Sequence, residues 1–88
     1  MNVEIHSHAK SRLIERGANE TEIIETVEHG EKFPAKPGRV IFKKVFDYYD
    51  LWNGQKYNFK QLEVVCVEEE NKIVVVTVMV KYFQEVRK

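Results

Sequence analysis

The first helical segment of the chain runs from Ser7 to Gly17 and reads SHAKSRLIERG. Ser7 is a good N-cap residue, and Gly17 supplies the left-handed conformation in which helices commonly end. At 100° per residue, His8 and Arg12 lie within about 40° of each other, and Arg16 lies about 40° further round. Like charges four residues apart cost a helix a few tenths of a kcal/mol. We therefore expect either an acidic neighbour or an anionic ligand to offset these three potential cations.

A second helix follows directly. Asn19 is its predicted N-cap, Glu22 stands at the third helical position as in a capping box, and Gly30 ends the helix. The apolar stripe of this helix consists of Ile23, Ile24 and Val27. Both helices are thus short, amphipathic and N-terminal.

The chain then changes to a strand pattern. Glu31 to Arg39 contains Pro34 and the pair Pro37-Gly38, and we predict a loop there. The pair Asn53-Gly54 is a strong signal for a two-residue hairpin, so we expect strands on both sides of it.

The strongest predicted strand runs from Lys72 to Tyr82 and is almost continuously aliphatic. This pattern indicates a central strand that is covered on both faces. Asn2 to His6 is a short extended arm, and Phe83 to Lys88 is either a frayed end or a last helical turn. Together these elements predict an α+β fold, in which two N-terminal helices pack on one face of a twisted antiparallel sheet.

The composition is that of one small globular domain, which we assign to residues 1–88. The formal net charge is zero, which argues against a protein that binds nucleic acid through its overall charge. The charge is nevertheless sorted along the chain. Asn19 to Glu31 contains five glutamates and no lysine or arginine, whereas Lys32 to Gln61 contains seven basic residues against Asp47 and Asp50. A neutral total can therefore hide a basic face.

The sequence also indicates a cellular compartment. Cys66 is the only cysteine, which excludes an internal disulfide and a multi-cysteine metal framework. The N-terminus lacks the apolar run of a signal peptide, and no stretch approaches the roughly 20 apolar residues of a membrane span. We therefore expect a cytoplasmic protein with no membrane partner.

His8 lies in the first turn of its helix, where the helix dipole favours the neutral imidazole over the imidazolium. With Arg12 and Arg16 one and two turns further on, this side of the helix offers a base and two fixed cations. Metal-free RNA cleavage needs a base for the 2′-hydroxyl, cations for the pentavalent phosphorane, and an acid for the 5′-oxygen. The alternative is that both arginines form ion pairs with the second helix, at Glu22, Glu25 or Glu28.

The three histidines raise the question of a metal. His6 and His8 form an HxH pair, and His29 is a third imidazole. No carboxylate or cysteine stands at ligand spacing from the pair, which straddles a helix start. We predict no metal and no cofactor.

Lysines and aromatic residues lie close together in the strand region. Lys43, Lys44 and Lys60 could follow a phosphate backbone while neighbouring rings stack on bases. Aromatic residues of a small sheet more often form core or cross-strand pairs, and we favour that interpretation here. The rings concerned are Tyr48, Tyr49, Trp52 and Tyr57.

The last predicted strand contains further candidate site residues. Thr77 interrupts the aliphatic run, and Lys81 lies on the same side of the strand four residues later. The hydroxyl of Thr77 is either satisfied locally or directed at a site. The predicted substrate contacts are Lys44, Lys60, Lys81 and Tyr82.

Two segments resemble the domain-of-unknown-function family 4258: HAKSRLIERGANETEIIETVEHGEKF, which begins at His8, and VVCVEEENKIVVVTVMV, which ends at Val80. The shared features are a histidine-alanine pair followed by arginine, an arginine-glycine helix end, an acidic second helix, and a valine-rich strand that ends near threonine-valine. Carried over by position, the resemblance marks the catalytic candidates His8, Arg12, Arg16 and Thr77.

This resemblance implies the fold of the barnase-like, colicin-like and RelE-like ribonuclease toxins, in which N-terminal helices pack on a four-stranded antiparallel sheet. It also implies RNA cleavage without a metal and a cognate antitoxin or immunity-type partner. The leading hypothesis is therefore a small toxin-like ribonuclease. The alternative is a non-catalytic domain that keeps the fold and holds RNA or a protein partner. Carboxylates within about 4 Å of the two arginines would favour the alternative.

Overall fold

Two helices lie on one face of a mixed sheet in the computed structural model, which describes residues 2–84. The predicted α+β class is thereby confirmed. Residues 85–88 of the predicted tail lie outside the described residues. The elements in chain order are β1 (Asn2–Ile5), α1 (Ser7–Arg16), α2 (Glu20–His29), β2 (Glu31–Pro34), β3 (Arg39–Trp52), β4 (Gln55–Glu69) and β5 (Lys72–Phe83).

The described sheet has five strands in the order β1-β5-β4-β3-β2. Strand β1 runs parallel to β5, and the other neighbours are antiparallel. The prediction of four antiparallel strands was therefore wrong in the number of strands and in one pairing. The N-terminal arm can lie parallel to β5 because all the intervening elements separate the two strands in sequence.

One of the unpredicted strands, β2, lies inside the segment that we expected to be a loop. It pairs with β3 from Glu31 opposite Lys43 to Pro34 opposite Val40. Proline cannot donate a ladder hydrogen bond, but an edge strand has one side without a partner. Strand β2 is such an edge, so Pro34 is tolerated there.

The helix ends follow the predicted chemistry, with one exception. The N-cap of α1 is His6 rather than Ser7, because the backbone N–H of His8 donates to Nδ1 of His6 over 3.1 Å. Gly17 ends α1 with a φ of 76°, and Asn19 forms the predicted capping box with Glu22.

The core lies between the helices and the inner face of the sheet. Ala9 and Leu13 of α1 and Ile23 and Val27 of α2 are buried against this face. On the sheet, the buried apolar residues include Val40, Phe42, Leu62, Val64, Cys66, Ile73, Val75 and Val78. This core fixes which side of α1 turns away from the protein.

The outer face of the sheet is not covered by any described element. Strand β5 alternates accordingly, with Val75 and Val78 buried and Thr77, Met79 and Lys81 exposed. The prediction that this strand is covered on both faces was wrong, because both helices pack on the same face. The predicted hairpin at Asn53-Gly54 is confirmed, and both residues have the positive φ that such turns require.

Strand β5 consists of two parts with different surroundings. Its residues Lys72 to Val75 lie between β1 and β4. Val76 is then bulged, since Cys66 pairs with Val75 and Val65 pairs with Thr77. Beyond the bulge, β5 has no strand partner on the β1 side among residues 2–84. Helix α1 runs past this open edge.

Candidate functional site

A cleft of about 150 Å³ lies between α1 and the open edge of β5. We call it the α1–β5 cleft. Its lining residues are His8, Ala9, Arg12, Arg16, Val76, Thr77 and Val78. The four residues that the sequence marked as catalytic candidates therefore line one cleft.

The position of α1 follows from its buried residues. Ala9 and Leu13 are 1% and 5% exposed and hold one side of the helix against the sheet. His8 and Arg12 lie on the flank beside that buried side and are exposed. One helical turn, about 5.4 Å of rise, separates residues spaced in this way. The imidazole and the guanidinium thus belong to neighbouring turns of one helix flank.

Arg16 attaches the end of α1 to the open edge. Its Nη1 donates to the carbonyl oxygen of Val78 on β5. The hydroxyl of Tyr82 donates to the carbonyl oxygen of Arg16 over 2.8 Å. The side chain and the backbone of Arg16 therefore both bind β5, which fixes the width of the cleft at this end.

The acidic second helix does not neutralise the two arginines. None of the ion pairs between described residues includes Arg12 or Arg16. The acids of α2 pair with lysines of the sheet instead: Glu22 lies 2.7 Å from Lys60 and Glu25 lies 3.9 Å from Lys44.

The two lysines paired with α2 were both predicted to contact a substrate. The Lys60 side chain is 7% exposed, and its Nζ also donates to the carbonyl oxygen of Gly17 over 2.9 Å. Lys44 lies beside Glu25, with its Nζ 4.9 Å from the centre of the Phe46 ring. Both lysines hold the sheet to the end of α1 or to α2, and neither is among the described residues that line the α1–β5 cleft.

Lys81 and Tyr82 lie on opposite faces of β5. Lys81 points to the outer face, where its Nζ is 3.3 Å from Glu63, and Glu63 is also 3.5 Å from Lys43. Tyr82 shares the inner face with Lys60, its partner on β4. The structure therefore brings Tyr82, but not Lys81, to the helix side of the open edge.

A family model matches residues 5–80. The chain belongs to the DUF4258 family. The family is described as a domain of unknown function. Neither the curated proteins nor the solved structures compared with the chain give a match. The DUF4258 match includes all of the residues that line the α1–β5 cleft.

A second cleft of about 290 Å³ continues along the open edge of β5 in this DUF4258 domain. We call it the Trp52 cleft. Its lining residues are Glu15, Arg16, Trp52, Met79, Val80 and Tyr82. Arg16 lines both clefts, so the two are neighbours along α1.

The wall of the Trp52 cleft is held rigidly. The rings of Trp52 and Tyr82 are stacked, with centroids 4.7 Å apart and planes at 15°. A Cβ atom on Gly17 would lie 2.7 Å from Cζ3 of Trp52, so the ring packs directly on the glycine backbone. Burial, followed by the neighbouring Tyr48 and Glu22, raises the pKa of Tyr82 to about 12.

Sequence reasoning missed Glu15, and for Trp52 it favoured a core or cross-strand pair over the base-stacking role that it also considered. Glu15 carries a detectable signal, since it follows Arg12 by three residues and so shares its side of α1. The position of Trp52 beside Gly17 carries no such signal, because it depends on the length and twist of the β3–β4 hairpin. These contacts form only when the sheet is assembled.

The remaining candidates for site chemistry have structural surroundings. His6 caps α1 through its Nδ1. Cys66 is buried, and this burial raises the pKa of its thiol to about 12. Between Asn2 and Gln84, no three or more histidine, cysteine, aspartate or glutamate side chains are grouped so as to hold a metal ion. Within the same range, no helix combines the length and the apolar character that crossing a membrane requires.

Proposed function

We propose that this DUF4258 domain is a small, toxin-like ribonuclease that cleaves RNA phosphodiesters in the α1–β5 cleft without a metal ion. The observation that carries the proposal is the shared lining of this cleft by His8, Arg12, Arg16 and Thr77. The ion pairs of α2 add support, because they leave Arg12 without a carboxylate partner among the described residues.

His8 is the general base in this proposal. Its imidazole takes the proton from a ribose 2′-hydroxyl, and the 2′-oxygen attacks the adjacent phosphorus. The bond from phosphorus to the 5′-oxygen breaks, and the leaving oxygen takes a proton from the imidazolium or from water. The products are a 2′,3′-cyclic phosphate and a 5′-hydroxyl end.

Arg12 and Arg16 supply the positive charge that the pentavalent phosphorane requires. The guanidinium of Arg12 is exposed at the cleft and binds the non-bridging phosphate oxygens. Arg16 has one nitrogen engaged by the carbonyl oxygen of Val78, and its guanidinium carries further N–H donors. Thr77 completes the lining of the cleft at the open edge of β5.

The test is cleavage of a labelled single-stranded RNA by the purified protein in the presence of EDTA. We expect His8→Ala to lower the cleavage rate by about 100-fold or more, which is the usual contribution of a general base. His29→Ala is the matched control, because His29 is an exposed imidazole at the end of α2, outside the cleft. Its rate should equal that of the wild type.

An RNase contaminant would cleave equally in all three preparations, so identical purification separates it from the protein's own activity. Equal rates for the wild type and His8→Ala, or no cleavage by the wild type, would contradict the proposal.

A non-catalytic domain that holds RNA is the second candidate. It is favoured by the presence of a single imidazole among the described residues of the cleft, because in-line cleavage uses both a base and an acid. This candidate predicts that RNA binds and stays intact, and that His8→Ala changes neither result. The toxin-like assignment further implies a cytoplasmic location and a cognate antitoxin or immunity-type protein that blocks the cleft.

A further inference from the structure

The Trp52 cleft has the parts of a nucleobase site: a fixed aromatic plane, a carboxylate and a guanidinium. We propose that it binds a guanine base of single-stranded RNA, next to the phosphate that Arg12 holds. The inference rests on the proposed function for its phosphate, but the base site can be tested separately from cleavage.

The aromatic plane is already in place before a ligand binds. Stacking on Tyr82 supports one side of Trp52, and Gly17 holds its edge. Tyr82 is in turn fixed through its hydrogen bond to Arg16. A base that stacks on such a ring orders few side chains, and bases of single-stranded RNA are commonly recognised on aromatic planes of this kind.

Glu15 supplies the element that selects the base. It is exposed, it lines the cleft, and none of the ion pairs between residues 2–84 includes it. An ionised carboxylate only accepts hydrogen bonds, and it accepts them at two oxygens. The Watson–Crick edge of guanine offers two adjacent donors, N1–H and the 2-amino group. Adenine, cytosine and uracil each offer one donor there, so a bidentate pair favours guanine.

The two clefts are neighbours along α1 and β5, with Arg16 in the lining of both. Glu15 follows Arg12 by three residues on α1, which is about 4.5 Å of rise on the same side of the helix. Strand β5 lines the α1–β5 cleft with Val76 to Val78 and the Trp52 cleft with Met79, Val80 and Tyr82. Arg16 stands between them, so a phosphate at Arg12 and a base at Trp52 belong to neighbouring parts of one chain.

The sole tryptophan of the protein is the reporter for the test. The four ribonucleoside monophosphates are titrated against the full chain, and the emission of Trp52 is followed. We expect guanosine monophosphate to quench it with a midpoint at least about fivefold below those of the other three, as a bidentate pair discriminates by that factor or more. A dinucleotide with a 5′-guanosine should bind more tightly than the monophosphate, which separates RNA from a free nucleotide as the ligand.

The variant that tests the selection is Glu15→Gln, which replaces one acceptor oxygen by an amide donor and keeps the size of the side chain. It should remove the preference for guanine, and the adenosine monophosphate midpoint should not rise, because an amide offers one acceptor and one donor that match the edge of adenine. Glu70→Gln is the charge-matched control, because Glu70 is exposed in the turn between β4 and β5. It should behave as the wild type.

Equal midpoints for the four nucleotides, an unchanged guanine preference in Glu15→Gln, or no response of Trp52 would each overturn the guanine site. Absence of RNA cleavage together with selective guanosine quenching would instead refute the ribonuclease and leave the base site standing.

Discussion

Lys60 and Arg12 are both cations near α1, but their surroundings are opposite. Lys60 is buried, with its Nζ 2.7 Å from Glu22 and 2.9 Å from the carbonyl oxygen of Gly17. Arg12 is exposed, lines the α1–β5 cleft, and has no carboxylate within ion-pair distance among residues 2–84. The first charge holds the protein together, and the second is available to a ligand.

The difference arises from the position of each residue in the fold. Glu22 is directed by its capping box with Asn19 at the start of α2, next to the inner face of β4 that carries Lys60. Arg12 lies on a helix flank beside the part of β5 that β1 does not reach. A carboxylate therefore meets Lys60, whereas Arg12 faces an open strand edge. Substitutions around each residue distinguish buried, paired Lys60 from exposed Arg12.

Removal of the Glu22 carboxylate that pairs with Lys60 should have the largest effect on stability. Glu22→Ala leaves Lys60 buried without its partner and also breaks the capping box, so the free energy of unfolding should fall by about 3 to 5 kcal/mol. Urea denaturation measures it. Glu20→Ala is the control, because Glu20 is also in the first turn of α2, but its one ion pair within residues 2–84 is with exposed Lys10 at 4.0 Å. Equal costs for the two variants would show that Lys60 does not depend on Glu22.

Gly17 should be the next most sensitive position, because its carbonyl oxygen accepts a hydrogen bond from Lys60 and its backbone packs on Trp52. Gly17→Ala combines a φ of 76° with contact between the new Cβ and both the Tyr82 hydroxyl and the Trp52 ring, and we expect a loss of about 2 kcal/mol and altered Trp52 emission. Gly38→Ala is the control, since Gly38 has a φ of 80° but open space around it, and it should lose about 1 kcal/mol. Thermal unfolding that shifts equally in both variants would contradict the close packing of Trp52.

A smaller effect is expected for the hydroxyl that joins β5 to α1. Tyr82→Phe removes the hydrogen bond to Arg16 and should lower the free energy of unfolding by about 1 kcal/mol. The raised pKa of Tyr82, about 12, adds a pH dependence. Between about pH 10 and pH 12 the unfolded chain loses the phenolic proton while the folded chain keeps it, so stability falls as the pH rises.

Urea denaturation at several pH values from 9 to 12 tests the Tyr82 prediction. The stability of the wild type relative to that of Tyr82→Phe should fall as the pH rises through this range. A relative stability that stays constant, or rises, would mean that the hydroxyl is not held in its neutral form.

Much of the fold could be predicted from local signals. Asn19, Glu22 and Gly17 set the helix ends, and Asn53-Gly54 sets the central hairpin, because caps and tight turns depend on a few adjacent residues. Strand β2 was missed, and β1 was predicted only as an extended arm, without its pairing to β5. Strand β2 contains Pro34, and β1 is short and weakly alternating, so only pairing with a neighbour defines them.

The candidate site was predictable only in part. The spacing of His8, Arg12 and Arg16 along one helix gives their common side from the sequence alone. Which lysines are available could not be derived in this way, because Lys44 and Lys60 obtain their carboxylates from α2 through long-range packing. Trp52 likewise reaches Gly17 only through the twist of the hairpin, and twist is a property of the assembled sheet.

The most direct test of the contrast between the two cations is a parallel measurement on Arg12→Ala. We measure its free energy of unfolding in urea and its affinity for single-stranded RNA as a function of salt, with Arg39→Ala as the control from an exposed arginine of β3 outside both clefts. For Arg12→Ala, stability should change by less than about 0.5 kcal/mol. RNA affinity should fall about tenfold, and the slope of log affinity against log salt should decrease by about one.

Arg39→Ala should retain wild-type stability and affinity. A loss of several kcal/mol in Arg12→Ala would mean that this cation is structural, as Lys60 is. RNA affinity equal to that of Arg39→Ala would mean that the α1–β5 cleft does not hold the phosphate.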